Sequence, residues 1–469
     1  MLVIISDIHL TDGTSGETIK EGAFRVFRSR LRDLAYDASW RADGTYRPIE
    51  ELDIVLLGDI LDVIRSTKWL DAKRGQPGYV RPWDNPQSDL FIEKIRTINQ
   101  AILQRNSTSL AILRSLNNGK TITIPPATAA DKPASVEWEP DAPGRAPVKV
   151  RIHYMVGNHD WFYHLPGPAY DAIRQSVIEA IGLSHPAHEP FPHDPAESPL
   201  LQAIYRQHRV FARHGDIFDP YNFEGDRNTS SLGDAVVVDL LNRFSTEVFA
   251  QLGGKLPQPC VDGLKEIDNV RPTLIAPVWV NATLQRTCQD PRLVKQVKQI
   301  WDDLVDDFLD LPFVRDHDNK TNPLDSVDKL EWVLKFSKGV STKFASRVAT
   351  WIQDRLGRMG TSFYQNGLAE AAFKDRTARY IVNGHTHHYE IVPLDTYYSN
   401  LRGKYVNQLY LNSGTWRQVH ELAKAKPLEQ EFIGHHEMTY LAFFKDDERR
   451  GGPTKPGQAH WPQSRVDGR

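Results

Sequence analysis

Short clusters of aspartate, asparagine and histidine occur along the 469-residue chain, and each follows an apolar stretch. Together they offer seven side chains of the kinds that bind metals: Asp7, His9, Asp59, Asn158, His214, His385 and His387. Carboxylate, imidazole and amide groups together suit borderline-to-hard divalent ions such as Mn²⁺, Fe²⁺, Zn²⁺ or Co²⁺ better than Ca²⁺. The clusters therefore predict a metal site built from distant parts of the chain.

The number and spacing of these side chains indicate more than one ion. Seven ligands are too many for a single tetrahedral zinc ion, but they suit two ions roughly 3.5–4 Å apart that share a bridging carboxylate. Asp7 and His9 are two residues apart, as are His385 and His387, so both members of each pair can face one site where the backbone turns. Glycines beside the clusters permit tight turns: Gly58, Gly157, Gly215 and Gly384.

The elements that precede the clusters have the character of buried strands. Residues 2–6 and 52–57 are short apolar runs, and the stripe from Phe24 to Leu34 between them has helical spacing, which predicts a β-α-β start. Further strands are predicted at residues 148–156, 210–213, 379–382, 408–411 and 438–444. Because functional groups gather at the carboxyl ends of strands in α/β folds, we expect an α/β protein with its site at that edge.

Two long stretches interrupt this strand pattern. Residues 66–147 hold a helical stripe and a Pro/Ala-rich segment, whereas residues 223–375 are mostly of helical character. We therefore expect a core made of residues 1–65, 148–222 and 376–446, with both stretches as insertions and the second as a helical cap. Residues 447–469 are expected to form a disordered tail.

Composition excludes several classes of protein. The net charge of −3, from 57 basic and 60 acidic residues, argues against a strongly basic nucleic-acid-binding protein. Two cysteines exclude a disulfide-rich scaffold, and we expect Cys260 and Cys288 to be free thiols. We find no signal peptide and no stretch long enough to span a bilayer, so a cytoplasmic location is the simplest expectation.

The clusters, taken in order, resemble the motifs of the calcineurin-like metallophosphoesterases. The matching blocks are Asp7-Ile8-His9, Gly58-Asp59-Ile60-Leu61-Asp62, Gly157-Asn158-His159-Asp160, His214-Gly215-Asp216 and Gly384-His385-Thr386-His387. The resemblance covers the core strands, which are about half of the chain, and neither insertion. It implies a metallophosphoesterase-type β-sandwich flanked by helices, with a dinuclear metal centre.

The resemblance also implies which residues hold each ion. For the first ion the matching positions are Asp7, His9, Asp59 and His387. For the second ion they are Asp59, Asn158, His214 and His385. Asp59 would therefore bridge two divalent cations, with Mn²⁺ favoured and Fe²⁺, Zn²⁺ or Co²⁺ as alternatives.

The mechanism that the resemblance implies is in-line attack on phosphorus by a metal-bound hydroxide, without a covalent phosphoenzyme. His159 matches the histidine that contacts phosphate and protonates the leaving oxygen. Asp160 would orient His159, and Asp62 would support the metal ligands from outside.

The substrate remains open between several classes at this point. Residues 214–219 and 412–416 are similar to the branch that contains the UDP-diacylglucosamine pyrophosphohydrolases, but the insertion after His214 is much longer here. The first hypothesis is hydrolysis of a phosphoester or pyrophosphate bond in a small or nucleotide-like substrate. The alternatives are a metal-dependent nuclease acting on DNA or RNA, and a non-enzymatic partner-binding protein with a structural metal site. The sequence leaves the oligomeric state open.

Overall fold

The computed structural model describes residues 1–16, 18–134, 142–317, 326–338, 362–400, 402–425, 429 and 431–449. Its strands are β1 (Leu2–Ile5), β2 (Trp40–Arg41), β3 (Glu51–Leu57), β4 (Thr123–Ile124), β5 (Ala146–Pro147), β6 (Lys149–Met155), β7 (Val210–Ala212), β8 (Val270–Arg271), β9 (Tyr380–Asn383), β10 (Tyr389–Ser399), β11 (Lys404–Ser413), β12 (Gln418–Leu422), β13 (Phe432–His436), β14 (Leu441–Phe443) and β15 (Glu448–Arg449). Its α-helices are α1 (Glu21–Ala38), α2 (Asp89–Arg105), α3 (Ser107–Leu116), α4 (Pro168–Ile181), α5 (Pro199–His208), α6 (Leu232–Ala235), α7 (Arg243–Leu252), α8 (Gln258–Lys265), α9 (Ala276–Thr287), α10 (Pro291–Leu309), α11 (Pro312–Asp316), α12 (Ser326–Ser337), α13 (Tyr364–Ala369) and α14 (Ala371–Lys374). The mixed α/β character that the sequence predicts is confirmed.

Two four-stranded sheets form the centre of the molecule, with strand orders β14-β1-β3-β6 and β10-β11-β9-β7. In the first sheet β1, β3 and β6 are parallel, and in the second β7, β9 and β11 are parallel. Side chains alternate between the two faces of each strand. Leu2 and Ile4 therefore pack with Val382 and Leu411 of the second sheet, whereas Val3 and Ile5 face the other way. The two sheets thus lie face to face across a shared apolar layer.

Helices cover the outer face of the first sheet. The apolar stripe of α1, which begins at Phe24, joins one hydrophobic cluster with Ile98 of α2, Leu113 of α3 and Val177 of α4. All four side chains are fully buried or nearly so. The helices of residues 66–147 therefore share the core of the first sheet and do not form a separate body.

The stretch after residue 223 builds a second hydrophobic cluster of its own. Phe244 of α7 and Trp301 of α10 meet edge to face within it, with ring centroids 5.0 Å apart. Strand β8 pairs with β12 in parallel, which gives a third sheet of order β13-β12-β8. The helical stretch is thereby joined to the chain that follows the second sheet. Cys260 and Cys288 are buried in this cluster as free thiols, as the sequence predicts.

The C-terminal boundary differs from the sequence expectation. Strand β15 pairs with β2 in antiparallel fashion, so ordered structure continues past residue 446. Backbone pairing of Glu448 with Arg41 accounts for the difference, because no apolar run marks so short a strand. Residues 450–469, for which disorder is predicted, lie outside the described residues. Within the described ranges, no helix is both long enough and apolar enough to cross a bilayer.

Candidate metal centre

All seven predicted ligands meet at one edge of the two facing sheets. They lie in the loops that directly follow β1, β3, β6, β7 and β9, and parallel pairing within each sheet brings these strand ends together. The His385 side chain is half-buried, and the other six are buried. The polar loops therefore enclose a compact cluster of carboxylate, imidazole and amide groups.

Asp7, His9 and His387 form one half of the cluster. The His9 Nε2 atom lies 2.9 Å from His387 Nε2 and 3.8 Å from Asp7 Oδ1. His387 Nε2 is 3.6 Å from the same Asp7 oxygen. Ligand atoms bound at about 2.0–2.2 Å from one ion are separated by about 3–3.5 Å. The three side chains are therefore spaced to hold a cation.

Asp59, Asn158, His214 and His385 form the other half. His214 Nε2 lies 3.3 Å from both Asp59 Oδ2 and Asn158 Oδ1, and His385 Nδ1 lies 2.9 Å from Asn158 Oδ1. The same Asp59 oxygen is 3.7 Å from His9 Nε2. Asp59 thus stands between the two halves, and its carboxylate is in reach of histidines from both.

The outer nitrogens of three histidines meet oxygen atoms. His9 Nδ1 lies 2.8 Å from Asp62 Oδ2, His214 Nδ1 donates to the Leu57 carbonyl at 2.9 Å, and His385 Nε2 donates to Asp219 Oδ2 at 3.0 Å. A neutral histidine that donates through its outer nitrogen presents the lone pair of its inner nitrogen. These contacts therefore favour, in each imidazole, the tautomer whose inner nitrogen has a lone pair available for a cation.

The backbone at the ligands adopts a conformation that side chains disfavour. Eight non-glycine residues in the described chain have positive φ, and five of them are Asp7, His9, Asp59, His385 and His387, with φ between 48° and 69°. Such left-handed residues are strained and concentrate at functional sites. The strain here turns successive polar side chains of a loop towards one point.

Close packing also explains why a glycine stands beside the ligands. A Cβ atom on Gly157 would meet the Asp59 carboxylate and would lie only 2.7 Å from His214 Nε2. Any side chain at this position would displace both residues. Gly157 is therefore needed for the loop to approach Asp59 and His214.

Burial and charge act in opposite directions on the ionisable ligands. Burial alone would raise the pKa of Asp59, but the positive charges of His214 and His159 hold that pKa well below its ordinary value. Burial would lower the pKa of His214, but Asp59 and Asp7 raise it well above the usual range, so a cation that binds at Nε2 must displace a proton from this imidazole. The pKa of His387 is lowered by burial and by the charge of Arg271. Asp59 therefore remains ionised and able to bind a cation.

His159 lies beside the cluster, and its ring is held by Asp62. The His159 Nδ1 atom is 2.8 Å from Asp62 Oδ1, and the other Asp62 oxygen contacts His9. The backbone amide of His159 donates to Asp59 Oδ1 at 2.8 Å. Asp62 thus links a predicted ligand to the predicted acid through one carboxylate.

The expected role of Asp160 is corrected by its contacts. Its carboxylate accepts hydrogen bonds from the Gly157 and Ile60 amides, at 2.6 and 2.9 Å, and from the Tyr154 hydroxyl at 2.6 Å. Burial, followed by the charge of Asp59, raises the pKa of Asp160 to about 7. Asp160 therefore fixes two ligand loops to each other, and it does not orient His159, because its side chain turns into the loops.

Two residues that sequence reasoning missed complete the second half of the cluster. Asp219 contacts His385, and Asn222 accepts a hydrogen bond from Asn158 Nδ2 at 3.1 Å. Asn222 Nδ2 also donates to Asp219 Oδ2 at 2.8 Å. The position of Asp219, five residues after His214, was the available signal, whereas nothing in the sequence marks Asn222.

Arginines from separate segments gather near the first half of the cluster. Burial and repulsion from Arg65 lower the pKa of Arg271 to about 9. The same two causes lower the pKa of Arg417 to about 10. Neither residue belongs to a motif, and Arg271 is more than fifty residues from the nearest ligand in sequence.

Comparison with known proteins assigns no family to the chain. No protein-family model matches it, and no curated protein matches it. The identities and spacing of the donor atoms therefore provide the basis for a functional interpretation.

Proposed function

We propose that this chain is a metal-dependent phosphoric ester hydrolase of the calcineurin-like metallophosphoesterase kind, with the sandwich fold of that family. The observation that supports the proposal is the meeting of all seven ligand-type side chains at one edge, with His159 directly beside them. The proposed substrate is a small or nucleotide-like molecule with a phosphoester or pyrophosphate bond.

The donor set fits two divalent ions. One would be held by Asp7, His9, Asp59 and His387. The other would be held by Asp59, Asn158, His214 and His385. Bound divalent ions supply Lewis acidity, which lowers the pKa of water and neutralises charge on phosphoryl oxygens. Mn²⁺ is the proposed ion, with Fe²⁺, Zn²⁺ and Co²⁺ as alternatives, because the mixture of carboxylate, amide and imidazole groups suits all four ions.

His159 is placed to donate a proton to the leaving group. Burial would lower its pKa, but the charges of Asp62 and Asp59 raise it, which favours the protonated imidazole. Because Nδ1 is held by Asp62, the proton on Nε2 is the one available to a departing oxygen. A positioned acid of this kind contributes about 10²–10⁴-fold to a rate. Asp62 orients the ring and does not itself exchange a proton with substrate.

The test is hydrolysis by the full chain loaded with Mn²⁺, against a panel of aryl phosphates, nucleotides, dinucleoside pyrophosphates, DNA and RNA. We expect turnover of a small phosphoester or pyrophosphate. Loss of a positioned bridging carboxylate in Asp59→Asn should lower kcat/KM by about 10²- to 10³-fold, since single electrostatic groups of this kind contribute about that much. Asp262→Asn, on an exposed face of α8, is the matched control and should behave as wild type.

The outcomes separate the proposal from its alternatives. Absence of turnover by protein that contains stoichiometric Mn²⁺, across the whole panel, would contradict a hydrolytic function and favour a structural metal site. Cleavage of DNA or RNA without turnover of the small substrates would favour the nuclease. Equal activity of wild type and Asp59→Asn would show that the turnover arises elsewhere.

A further inference from the structure

Three arginines lie next to the metal-ligand cluster, on the side of its first half. The Arg271 Nη2 atom is 2.9 Å from His387 Nδ1, and Arg65 Nε is 3.4 Å from Asp62 Oδ2. Arg417 Nη1 donates to the His9 carbonyl at 3.4 Å. Arg65 and Arg417 are buried, and Arg271 is half-buried. The three guanidinium groups repel one another where water is scarce, and the buried carboxylates of Asp62 and Asp268 offset part of that repulsion.

The three arginines differ in how far they are already engaged. Arg65 donates to the Asp268 carbonyl at 2.9 Å and to the Asn269 side chain at 3.4 Å, so it ties the helical stretch to the core. Arg271 uses Nη1 for the Asp268 and Val270 carbonyls, at 2.8 and 2.9 Å. Its Nη2 has His387 as its hydrogen-bond partner within the described residues. The Nη2 atom of Arg271 therefore faces the metal-ligand cluster, whereas Nη1 is engaged by backbone carbonyls.

The position of Arg271 is fixed by a sheet and not by a loose loop. It lies on β8, which the helical stretch contributes, and it pairs with Glu421 of β12. The strand pairing sets the direction of the backbone on both sides of the residue. Arg271 is therefore a group that the insertion delivers to the cluster at a defined place.

The contact between Arg271 and His387 conflicts with cation binding. His387 Nε2 faces His9 and Asp7, so it is the nitrogen that would hold a cation. A neutral imidazole with its lone pair on Nε2 carries its proton on Nδ1, and Arg271 has only donors to offer that atom. Two N–H groups cannot form a hydrogen bond with each other. When a cation binds, Arg271 must therefore release His387 and find another acceptor.

We propose that the acceptor is a terminal oxygen of the substrate's phosphate, and that the site selects a dianionic phosphate, as in a monoester or the end of a pyrophosphate. This inference rests on the proposed function and adds the residue that sets the substrate class. A phosphomonoester has three terminal oxygens and up to two negative charges, whereas a diester has two oxygens and one charge. The additional guanidinium beyond the metal ligands matches the group with the additional oxygen and charge.

The first experiment measures binding of inorganic phosphate by calorimetry, with full-length protein loaded with Mn²⁺. We compare wild type, Arg271→Ala, Arg271→Lys and the control Arg243→Ala, which removes a partly exposed ion pair with Asp307 in the same insertion. Loss of a charge-assisted hydrogen bond should weaken phosphate binding by about 10- to 100-fold in Arg271→Ala. Arg271→Lys should fall between, because lysine keeps the charge but not the planar fork.

The second experiment compares kcat/KM for p-nitrophenyl phosphate and bis(p-nitrophenyl) phosphate. We expect wild type to favour the monoester, and Arg271→Ala to lose about 10- to 100-fold on the monoester but less than about threefold on the diester. Metal content is measured on every sample. The preference for the monoester should therefore collapse while the bound Mn²⁺ stays constant.

Several results would overturn the inference while leaving the hydrolase proposal intact. These are unchanged phosphate affinity in Arg271→Ala, an equal loss in Arg243→Ala, and parallel losses on both substrates. A lower Mn²⁺ content in both Arg271 variants would show that the residue supports His387 and not the substrate. Failure of the hydrolase proposal looks different, since wild type would then turn over neither substrate although phosphate binding could still be measured.

Discussion

Asp219→Asn tests the claim that outer hydrogen bonds prepare the histidines for a cation. The substitution removes one negative charge behind His385 and keeps the shape of the side chain. Asp219 Oδ2 receives hydrogen bonds from His385 Nε2 at 3.0 Å and from Asn222 Nδ2 at 2.8 Å. The Tyr221 amide donates to the other oxygen at 2.9 Å. Asparagine can satisfy only part of this set, because one of its two terminal atoms is a donor.

The size of the effect follows from the exposure of Asp219. A hydrogen bond to a charged group contributes about 1.5–3 kcal/mol. The side chain of Asp219 is 26% exposed, so solvent screening places the loss in the lower half of that range. A loss of about 1.5–2 kcal/mol corresponds to about 10- to 30-fold weaker binding of the cation. This agrees with the roughly 10- to 100-fold cost of removing a partner behind a metal ligand.

The assay is calorimetric titration of chelator-treated full chain with Mn²⁺. One binding event should weaken by about 10- to 30-fold in Asp219→Asn, while the other changes by less than about threefold, because His385 is the one ligand that Asp219 contacts among the described residues. Asp262→Asn serves again as the control for a removed surface charge. Affinities within twofold of wild type, or equal weakening of both events, would refute the reasoning.

Three further predictions concern the free energy of unfolding and the binding of Mn²⁺. Burial lowers the pKa of His208 to about 4, so below about pH 6.5 the unfolded chain takes up a proton that the folded chain excludes. The free energy of unfolding should therefore fall by up to about 3 kcal/mol between pH 6.5 and pH 4. His208→Gln, measured by denaturant titration, should lose that part of the pH dependence. The same dependence of unfolding free energy on pH in wild type and His208→Gln would contradict this prediction. Leu113→Ala empties a fully buried site in α3 and should lower the free energy of unfolding by about 2–5 kcal/mol, whereas Leu90→Ala, at 43% exposure, should change it by less than about 0.5 kcal/mol; equal small effects would show that α3 is peripheral. Gly157→Ala should abolish Mn²⁺ binding because its methyl group meets Asp59 and His214, whereas Gly22→Ala meets nothing within 4 Å and should bind Mn²⁺ as wild type does.

The strand ends were predictable because two signals coincide at each of them. An apolar run marks a buried strand, and the polar residues directly after it mark the loop. Parallel pairing then brings loops such as those of Asp59 and Asn158 together, whatever their separation in sequence. The convergence of the ligands follows from this rule, and no knowledge of side-chain angles is needed.

Which of two carboxylates, Asp62 or Asp160, contacts His159 was not predictable in the same way. Both carboxylates lie within three residues of a predicted functional residue, and spacing alone favours the neighbour, Asp160. The direction of each side chain depends on the turn that precedes it, which includes the left-handed Asp59 in one loop. Only the folded loops show that Asp62 reaches His159 while Asp160 bonds to backbone amides.

The contributions of the long insertions were hidden for a different reason. Helices α2 and α3 carry apolar faces that would suit a separate body equally well, and their burial against α1 is a tertiary fact. Arg271 lies on a two-residue strand that is too short to leave a periodic pattern. Its place beside His387 depends on pairing with β12, far along the chain.

The backbone of the ligand loops is strained, whereas the buried strands that precede these loops stabilise the fold. Five left-handed ligand residues cost about 1 kcal/mol or more each, so their sum is comparable to the whole stability of many domains. The strands that immediately precede them, including residues such as Ile4, Leu57 and Val382, are buried between the sheets. Glycine at these five positions would relieve the strain but would remove the donor atoms. Burial of the apolar layer therefore offsets the free-energy cost of the left-handed backbone at the five ligand residues. This pattern is expected when a backbone conformation serves binding and not stability.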